Sequence, residues 1–249
     1  MNDSVDIIMP NYNSSKFISK TIFSILSQTF TNWRLIIIDD ASDDKTINEL
    51  KKFKIFKNIK IFYLKKNRGA AYCRNLGLKK TKAKFIAFID SDDLWTRNKL
   101  KTQIYFMNKN KYEFTYSHYK TLNENGITLN KILTPIKFNF NSFIKNTSIA
   151  TSTMIIKRNL IRNIQFPKTQ ICEDYFFKCK ILKKIEYAFC CPFFLGKYRI
   201  RKNSLQSNRF KNLIWIWKIN KNLNHLNPFK NFISLLFISI NSLKKYGLR

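Results

Sequence analysis

Four short apolar runs recur through the first ninety positions of the chain: Val5 to Met9, Leu35 to Ile38, Ile59 to Leu64 and Phe85 to Ile89. None alternates strictly with polar residues, so each predicts a strand covered on both faces. Between them the spacing becomes helical. Ile18, Ile22 and Ile25 fall on one side of a helix that Ser14 and Ser15 are placed to cap. A second helix opens near Asp43 and Asp44, and a third covers about Ala70 to Leu78. Strand and helix in alternation predict an α/β fold with right-handed crossovers and a mostly parallel sheet flanked by helices. Ligands of such sheets lie beyond the carboxyl ends of the strands. Four ends are therefore expected at one crevice: Pro10-Asn11-Tyr12-Asn13, Asp39-Asp40-Ala41-Ser42, Asn67-Arg68-Gly69 and Asp90-Ser91-Asp92-Asp93.

After Asp93 the pattern is mixed. It predicts a helix from about Arg97 to Met107, a strand from Tyr112 to Tyr119, a turn at Asn123 to Gly126 and a strand from Thr151 to Ile156. A helix follows Glu173-Asp174. Beyond Arg201 the pattern gives two amphipathic helices, divided at Asn227-Pro228 because proline cannot continue the first.

At 249 residues and 45% hydrophobic content the chain can bury a substantial core. Its formal net charge of +31 is unevenly spread. Ten of fifteen acidic residues lie at or before Asp93, whereas from Tyr187 onward there are twelve Lys and Arg and no acid. A purely basic, aromatic-rich end suits an anionic partner such as a membrane surface or a nucleic acid. Cys73, Cys172, Cys179, Cys190 and Cys191 show no metal-binding spacing and read as reduced thiols of a cytoplasmic protein. No signal peptide is indicated at MNDSVDIIMP, and Ile233 to Ile240 is too short to span a bilayer.

Asp90, Asp92 and Asp93 pose the chemical question, because carboxylates so close repel unless a cation stands among them. Carboxylate ligands favour magnesium, manganese or calcium over zinc. A helix-loop-helix calcium site is excluded, since Leu94 occupies the place of the third oxygen ligand and no glycine follows. Magnesium or manganese held by one or two carboxylates completes its shell with phosphate oxygens, which points to a nucleoside diphosphate. The plainer reading is that Ser91, Asp92 and Asp93 cap the next helix. The second acidic pair, Asp39-Asp40, at another strand end weighs against it.

The chain resembles the family 2 glycosyltransferases of GT-A fold, a Rossmann-like architecture. The matching segments are IIMPNYN at 7 to 13, QTFTNWRLIIIDDASDDKT at 28 to 46, NRGAAYCRNLGL at 67 to 78 and AKFIAFIDSDD at 83 to 93. CEDY at 172 to 175 and YRIRKNSL at 198 to 205 also fit. The resemblance implies a catalytic domain over 1–205, with a nucleotide-binding half at 1–95 and an acceptor-binding half at 96–205. Residues 206–249 would form a basic helical extension. It also implies that Pro10, Tyr12 and Asn13 line the nucleotide pocket and that Asp40, with Asp39 beside it, accepts from uracil N3. Asp90, next to Ser91, would lie near the ribose and the metal. Asp92 would hold Mn2+ or Mg2+ against the diphosphate, and Arg68 and Arg74 would lie near the donor. Asp174, with Glu173 adjacent, would be the general base. Arg199, Arg201 and Ser204 suggest a flexible segment that covers the diphosphate.

The reaction so implied transfers one sugar, hexose or N-acetylhexosamine, from a UDP-sugar to a glycan or lipid-linked glycan acceptor. Negative charge develops on the departing phosphate, a carboxylate takes the acceptor proton, and a single displacement inverts the anomeric centre. Such an enzyme would serve cell-surface polysaccharide or lipooligosaccharide synthesis at the inner face of a membrane. Apolar residues among the lysines of 206–249 suit packing on the catalytic domain, on a second subunit or on that membrane. Two rivals are a nucleotidyltransferase acting on sugar phosphates and a nucleic-acid-binding protein. The first lacks a glycine-rich phosphate loop after the first strand, where NYNSSK stands. The second leaves the acidic strand ends unexplained.

Overall fold

The computed structural model describes residues 3–201 and 208–246. The first half alternates as the apolar pattern requires. β1 (Val5–Asn11), α1 (Ile18–Leu26), β2 (Trp33–Asp39), α2 (Asp44–Lys51), β3 (Ile59–Tyr63), α3 (Ala70–Lys79) and β4 (Phe85–Phe88) follow in order. The second half is mixed: β5 (Leu94–Trp95), α4 (Lys99–Lys109), β6 (Phe114–Leu122), β7 (Thr128–Ile132), β8 (Lys137–Phe138) and α5 (Phe140–Phe143). A 3-10 turn (Thr151–Thr153), β9 (Ile155–Lys157), α6 (Arg158–Ile161), α7 (Glu173–Leu182) and β10 (Ala188–Arg199) come next. α8 (Arg209–Asn222) and α9 (Pro228–Tyr246) complete it.

All ten strands join one sheet in the order β3-β2-β1-β4-β9-β6-β10-β5, with β7 beside β6 and β8 beside β10. β1, β2, β3 and β4 run parallel, as do β6 and β10, while β9 is antiparallel to both its neighbours. The uninterrupted apolar runs are explained by burial on both sides. Ile7 and Met9 pack under α1 and α4, whereas Ile8 one residue on enters the cluster around Phe88 and Phe177. Each such side chain contributes about 2 kcal/mol relative to exposure. α3 lies so close to β1 that a Cβ at Gly77 would stand 2.6 Å from Ile8 Cγ2.

Two expectations change. Ser14 does not cap α1 with its hydroxyl, which donates instead to Asn11 Oδ1; its carbonyl accepts from Phe17 and Ile18. The stretch from Thr151 to Ile156 is strand only from Ile155, the first three residues being the 3-10 turn. β10, which is not among the strands expected above, pairs with β5, β6 and β8, and Pro192 and Gly196 fall at its register shifts against β6, between Cys191 and Phe194 and between Phe194 and Gly196.

The last two helices are part of the core. Ile216, Ile219 and Ile238 enter the same cluster as Phe177, and Tyr175 donates to Asn220 Oδ1 at 2.7 Å. α9 has two faces. Ser234 donates to the Ile144 carbonyl and Asn241 to that of Lys145, whereas Phe229, Phe232, Leu236, Ile240 and Leu243 are exposed on its other side. No helix among the described residues is long and apolar enough to cross a membrane. The five cysteines are free thiols, all buried.

Candidate active site

The strand ends of the first half converge through hydrogen bonds. At the end of β1, Asn11 donates to Asp39 Oδ1 at 2.6 Å, and the Ser42 hydroxyl donates to the same oxygen at 2.6 Å. The Asn13 amide reaches Ser42 at 3.0 Å, and Asn13 Oδ1 accepts from the Asp43 amide at 2.8 Å. Asn13 and Ala41 both take positive φ, 45° and 59°, so the chain folds back tightly at each end. Asp43 caps α2 by accepting from the Thr46 amide. Asp40 accepts from the Arg68 and Gly69 amides at 2.7 and 2.8 Å, which places its charge at the amino end of α3. Pro10 is buried below this turn and Tyr12 is half exposed above it. Tyr12 thus leaves its ring open to solvent at this end of the sheet, while Asp39 and Asp40 are buried.

At the end of β4 the three carboxylates have separate surroundings. Asp90 Oδ1 lies 2.7 Å from Arg74 Nη2, and its amide donates to Ser152 Oγ at 3.0 Å. The Ser91 carbonyl accepts from Thr21 at 2.9 Å. Asp92 faces Arg201 Nη1 at 3.2 Å, and burial together with the nearby Asp90 raises its pKa. Asp93 is wholly buried and accepts from the Ser152 hydroxyl and the Arg199 amide. Burial, then Asp92 and Asp90, push its carboxyl well above the usual range. Asp93 is therefore a structural group that ties β10 and the 3-10 turn to the strand end.

Across the crevice, α7 begins directly after Cys172, whose φ of 60° is left-handed. Such strain persists where the surrounding structure imposes it, and here it delivers two acids to the first turn. Glu173 Oε1 accepts from Arg74 Nη1 at 2.7 Å; burial raises this carboxyl despite Arg74. Asp174 Oδ2 accepts from Lys178 Nζ and from the Thr151 hydroxyl, each at 2.8 Å. Burial opposes its ionisation, but Lys178 and then Arg74 outweigh burial and hold the carboxyl well below the usual range. Asp174 is thus the acid kept charged and Glu173 the one held for Arg74.

This geometry gives Arg74 its partners and corrects the expectation for Arg199. Arg74 is nearly buried and spends both terminal nitrogens on Asp90 and Glu173. Arg199 is not part of a flexible cover. Its guanidinium donates to the carbonyls of Asp92, Asn123 and Glu124, and the side chain is buried. Arg201 keeps partial exposure beside Asp92, and Ser204 lies outside the described residues. Arg68 is exposed and stacks 4.3 Å from the Tyr72 ring centroid.

No group of three metal-ligating side chains converges among the described residues. The fit to magnesium or manganese therefore rests on Asp92, with Asp90 beside it. Two partly exposed acids of one strand end, one of them made hard to ionise by burial and then by the other, suit a cation that takes its remaining ligands from phosphate. Several participants carry no motif of their own: Asn11 and Ser42 orient Asp39, Ser152 joins Asp90 to Asp93, and Thr151 and Lys178 hold Asp174.

The sequence profile of glycosyl transferase family 2 matches residues 6–194. The chain belongs to that family. This family 2 glycosyltransferase is 38% identical over 248 residues to the Escherichia coli UDP-Glc:alpha-D-GlcNAc-diphosphoundecaprenol beta-1,3-glucosyltransferase WfgD, covering 98% of this chain and 95% of the relative. It is 32% identical to the putative teichuronic acid biosynthesis glycosyltransferase TuaG of Bacillus subtilis, with coverage of 97% and 96%. Its GT-A fold matches that of S. aureus TarS 1–349 in complex with UDP-GlcNAc at a TM-score of 0.75 and 21% identity, over 97% of this chain and 73% of that one. The mannosyltransferase PcManGT of Pyrobaculum calidifontis, in complex with GDP-Man and Mn2+, matches at 0.72 and 16% identity, over 95% and 70%.

Proposed function

We propose that this glycosyltransferase moves one hexose or N-acetylhexosamine from a UDP-sugar to a lipid-linked glycan acceptor, with inversion, in cell-surface polysaccharide synthesis. The observation that carries the reading is the link Asp90–Arg74–Glu173, which joins the acidic strand end bearing Asp92 to the helix turn bearing the ionised Asp174. A donor diphosphate belongs at the first and an acceptor hydroxyl at the second. Tyr12 supplies a ring for the base to stack on. Asp40, held by two amides, keeps further lone pairs for the uracil N3 donor. Asp92, with Asp90 adjacent, would hold Mn2+ or Mg2+, which would supply charge neutralisation to the departing diphosphate. Arg201 reaches the same place. Asp174 takes the acceptor proton, Thr151 orients it, and Lys178 keeps it ionised.

Names of relatives support a lipid-diphosphate acceptor and glucose as the hexose, since WfgD and its Escherichia coli counterpart WfaP, 35% identical, are both named for them. The exposed apolar face of α9, set among lysines, suits docking at an anionic membrane surface where such acceptors reside. The test is transfer from UDP-glucose and UDP-GlcNAc, with manganese, to GlcNAc-diphosphate-lipid. A product of inverted configuration is expected from one donor. Absence of transfer from both, with no UDP release, would remove the reading.

A further inference from the structure

Between β7, the loop at 133–135 and the last turns of α9 lies a pocket of about 540 Å³ that the catalytic groups leave unused. Its charged lining is Lys131, Lys244 and Lys245, and among the described residues no carboxylate lines it. Lys245 is the best placed: its side chain lies on the face of α9 turned toward the catalytic domain, and Nζ donates to Asn146 Oδ1 at 3.0 Å. The Ser148 hydroxyl donates to the same oxygen. Among the described residues none of the three lysines forms an ion pair with an acid. Burial pushes Lys245 down to about 8. Three ammonium groups gathered without a counter-ion repel one another, and an anion with several oxygens relieves all three.

The position of the pocket says which anion. Ser148 lines it, and three residues on, Thr151 donates to Asp174, the proposed base. Three residues span at most ~11 Å even when fully extended. The pocket is therefore close to the acceptor hydroxyl, and it is apart from the donor diphosphate place at Asp92. The same helix that presents Lys245 inward presents Phe229, Phe232, Leu236, Ile240 and Leu243 outward. We infer that the Lys131, Lys244 and Lys245 pocket binds the diphosphate that joins the acceptor sugar to its lipid, an inference resting on the acceptor reading above. The sugar then extends from the pocket to Asp174 and the lipid chain leaves along the apolar side of α9.

Two acceptors that differ only in the diphosphate test it: octyl GlcNAc-diphosphate and an octyl glycoside of GlcNAc. Wild type, Lys245→Gln and the double variant Lys131→Gln, Lys244→Gln are compared, with UDP-sugar hydrolysis in the absence of acceptor as the control for fold and donor site. Each change is expected to raise KM for the diphosphate acceptor about tenfold or more while leaving KM for the octyl glycoside and the hydrolysis rate unchanged. Calorimetric titration of inorganic pyrophosphate, with the donor site saturated by UDP and manganese, gives a second readout. Binding is expected to wild type and to be lost in Lys245→Gln.

Equal losses on both acceptors would assign Lys245 a merely structural role, and unchanged KM in both variants would overturn the site. Pyrophosphate binding that persists in Lys245→Gln would place the anion elsewhere. A wild-type enzyme that hydrolyses UDP-sugar yet uses neither acceptor would overturn the acceptor reading and this inference with it. A wild type that prefers the octyl glycoside would overturn this inference alone.

Discussion

Arg74 Nη1 lies 2.7 Å from the Glu173 carboxylate across 99 positions of sequence, so the third helix of the nucleotide half is tied to the first turn of α7. The same guanidinium holds Asp90 at 2.7 Å. Replacing it by Met leaves two acids unpaired in a largely buried place. Arg74→Met should destabilise the protein by about 3–5 kcal/mol, read as a lowered urea midpoint. Lys, with one point of charge, should recover only part of that and little activity.

The neighbours Asp92 and Asp93 should separate cleanly. Asp92→Asn is expected to remove the manganese dependence of UDP binding in calorimetry while barely moving the melting temperature. Asp93→Asn presents an amide to Ser152 and the Arg199 amide, where a carboxylate oxygen stood. It should lower stability by about 1–3 kcal/mol and leave manganese dependence intact. A reversed pattern would exchange the roles.

Asp174→Asn should reduce kcat by about 10²- to 10⁴-fold, with KM for the UDP-sugar unchanged. Lys178→Met tests the cause of the low pKa. Lys178 favours the ionised carboxylate, so losing it lets Asp174 hold its proton to higher pH. The acid limb of the kcat/KM profile should therefore move upward in pH, by about a unit or more. An unmoved limb would mean that Asp174 is not the group whose ionisation governs the rate.

Lys99 is fully buried under the 3-10 turn, donates to Gln103 Oε1 at 2.9 Å and lies over the Trp95 ring. Burial lowers its pKa to about 7. Between that value and its ordinary one near 10.5 the unfolded chain binds the extra proton, so this group makes stability rise with pH across that window and withdraws stability below it. The slope is at most about 1.4 kcal/mol per pH unit. The difference in unfolding free energy between wild type and Lys99→Met, measured from pH 7 to 10, should show that rise. A difference independent of pH would contradict it.

Phe229 and Phe232 are 72% and 61% exposed on the outer side of α9. Changing both to Ser should weaken binding to phosphatidylglycerol vesicles by roughly tenfold per residue, with UDP-sugar hydrolysis unaltered. Equal sedimentation of the variant and wild type with vesicles would assign this face to another partner.

The first half was legible because β1, β2 and β4 are buried on both sides and end in polar residues, and hydrogen bonds join those ends as the parallel sheet requires. β3 departs from that expectation, since as the edge strand it leaves Lys60 and Tyr63 exposed. Burial alone also explains what stayed hidden. Thr151, Ser152 and Lys178 belong to no motif and act only because the sheet brings them to Asp174, Asp90 and Asp93. β10 escaped notice because Pro192 and Gly196 break its pattern at the places where it shifts register against β6. Arg74 could be expected near the donor from its motif, but its burial between two carboxylates requires α7, nearly a hundred residues on. The amphipathic spacing of α8 and α9 foretold two helices and an apolar face, though not that the inner sides would complete the main core.

Gly77 is the residue over which α3 and β1 come into contact. The Arg68 and Gly69 amides that grip Asp40 lie about two turns away along the same helix, roughly 12 Å, and Arg74 lies one turn away. A single added methyl would act as a wedge, tilting the rod that carries both grips and opening the gap between the base wall and the acidic strand end. The spacing of the strand ends is thus set at a point with no side chain, where mutational scans for binding residues would not look for it.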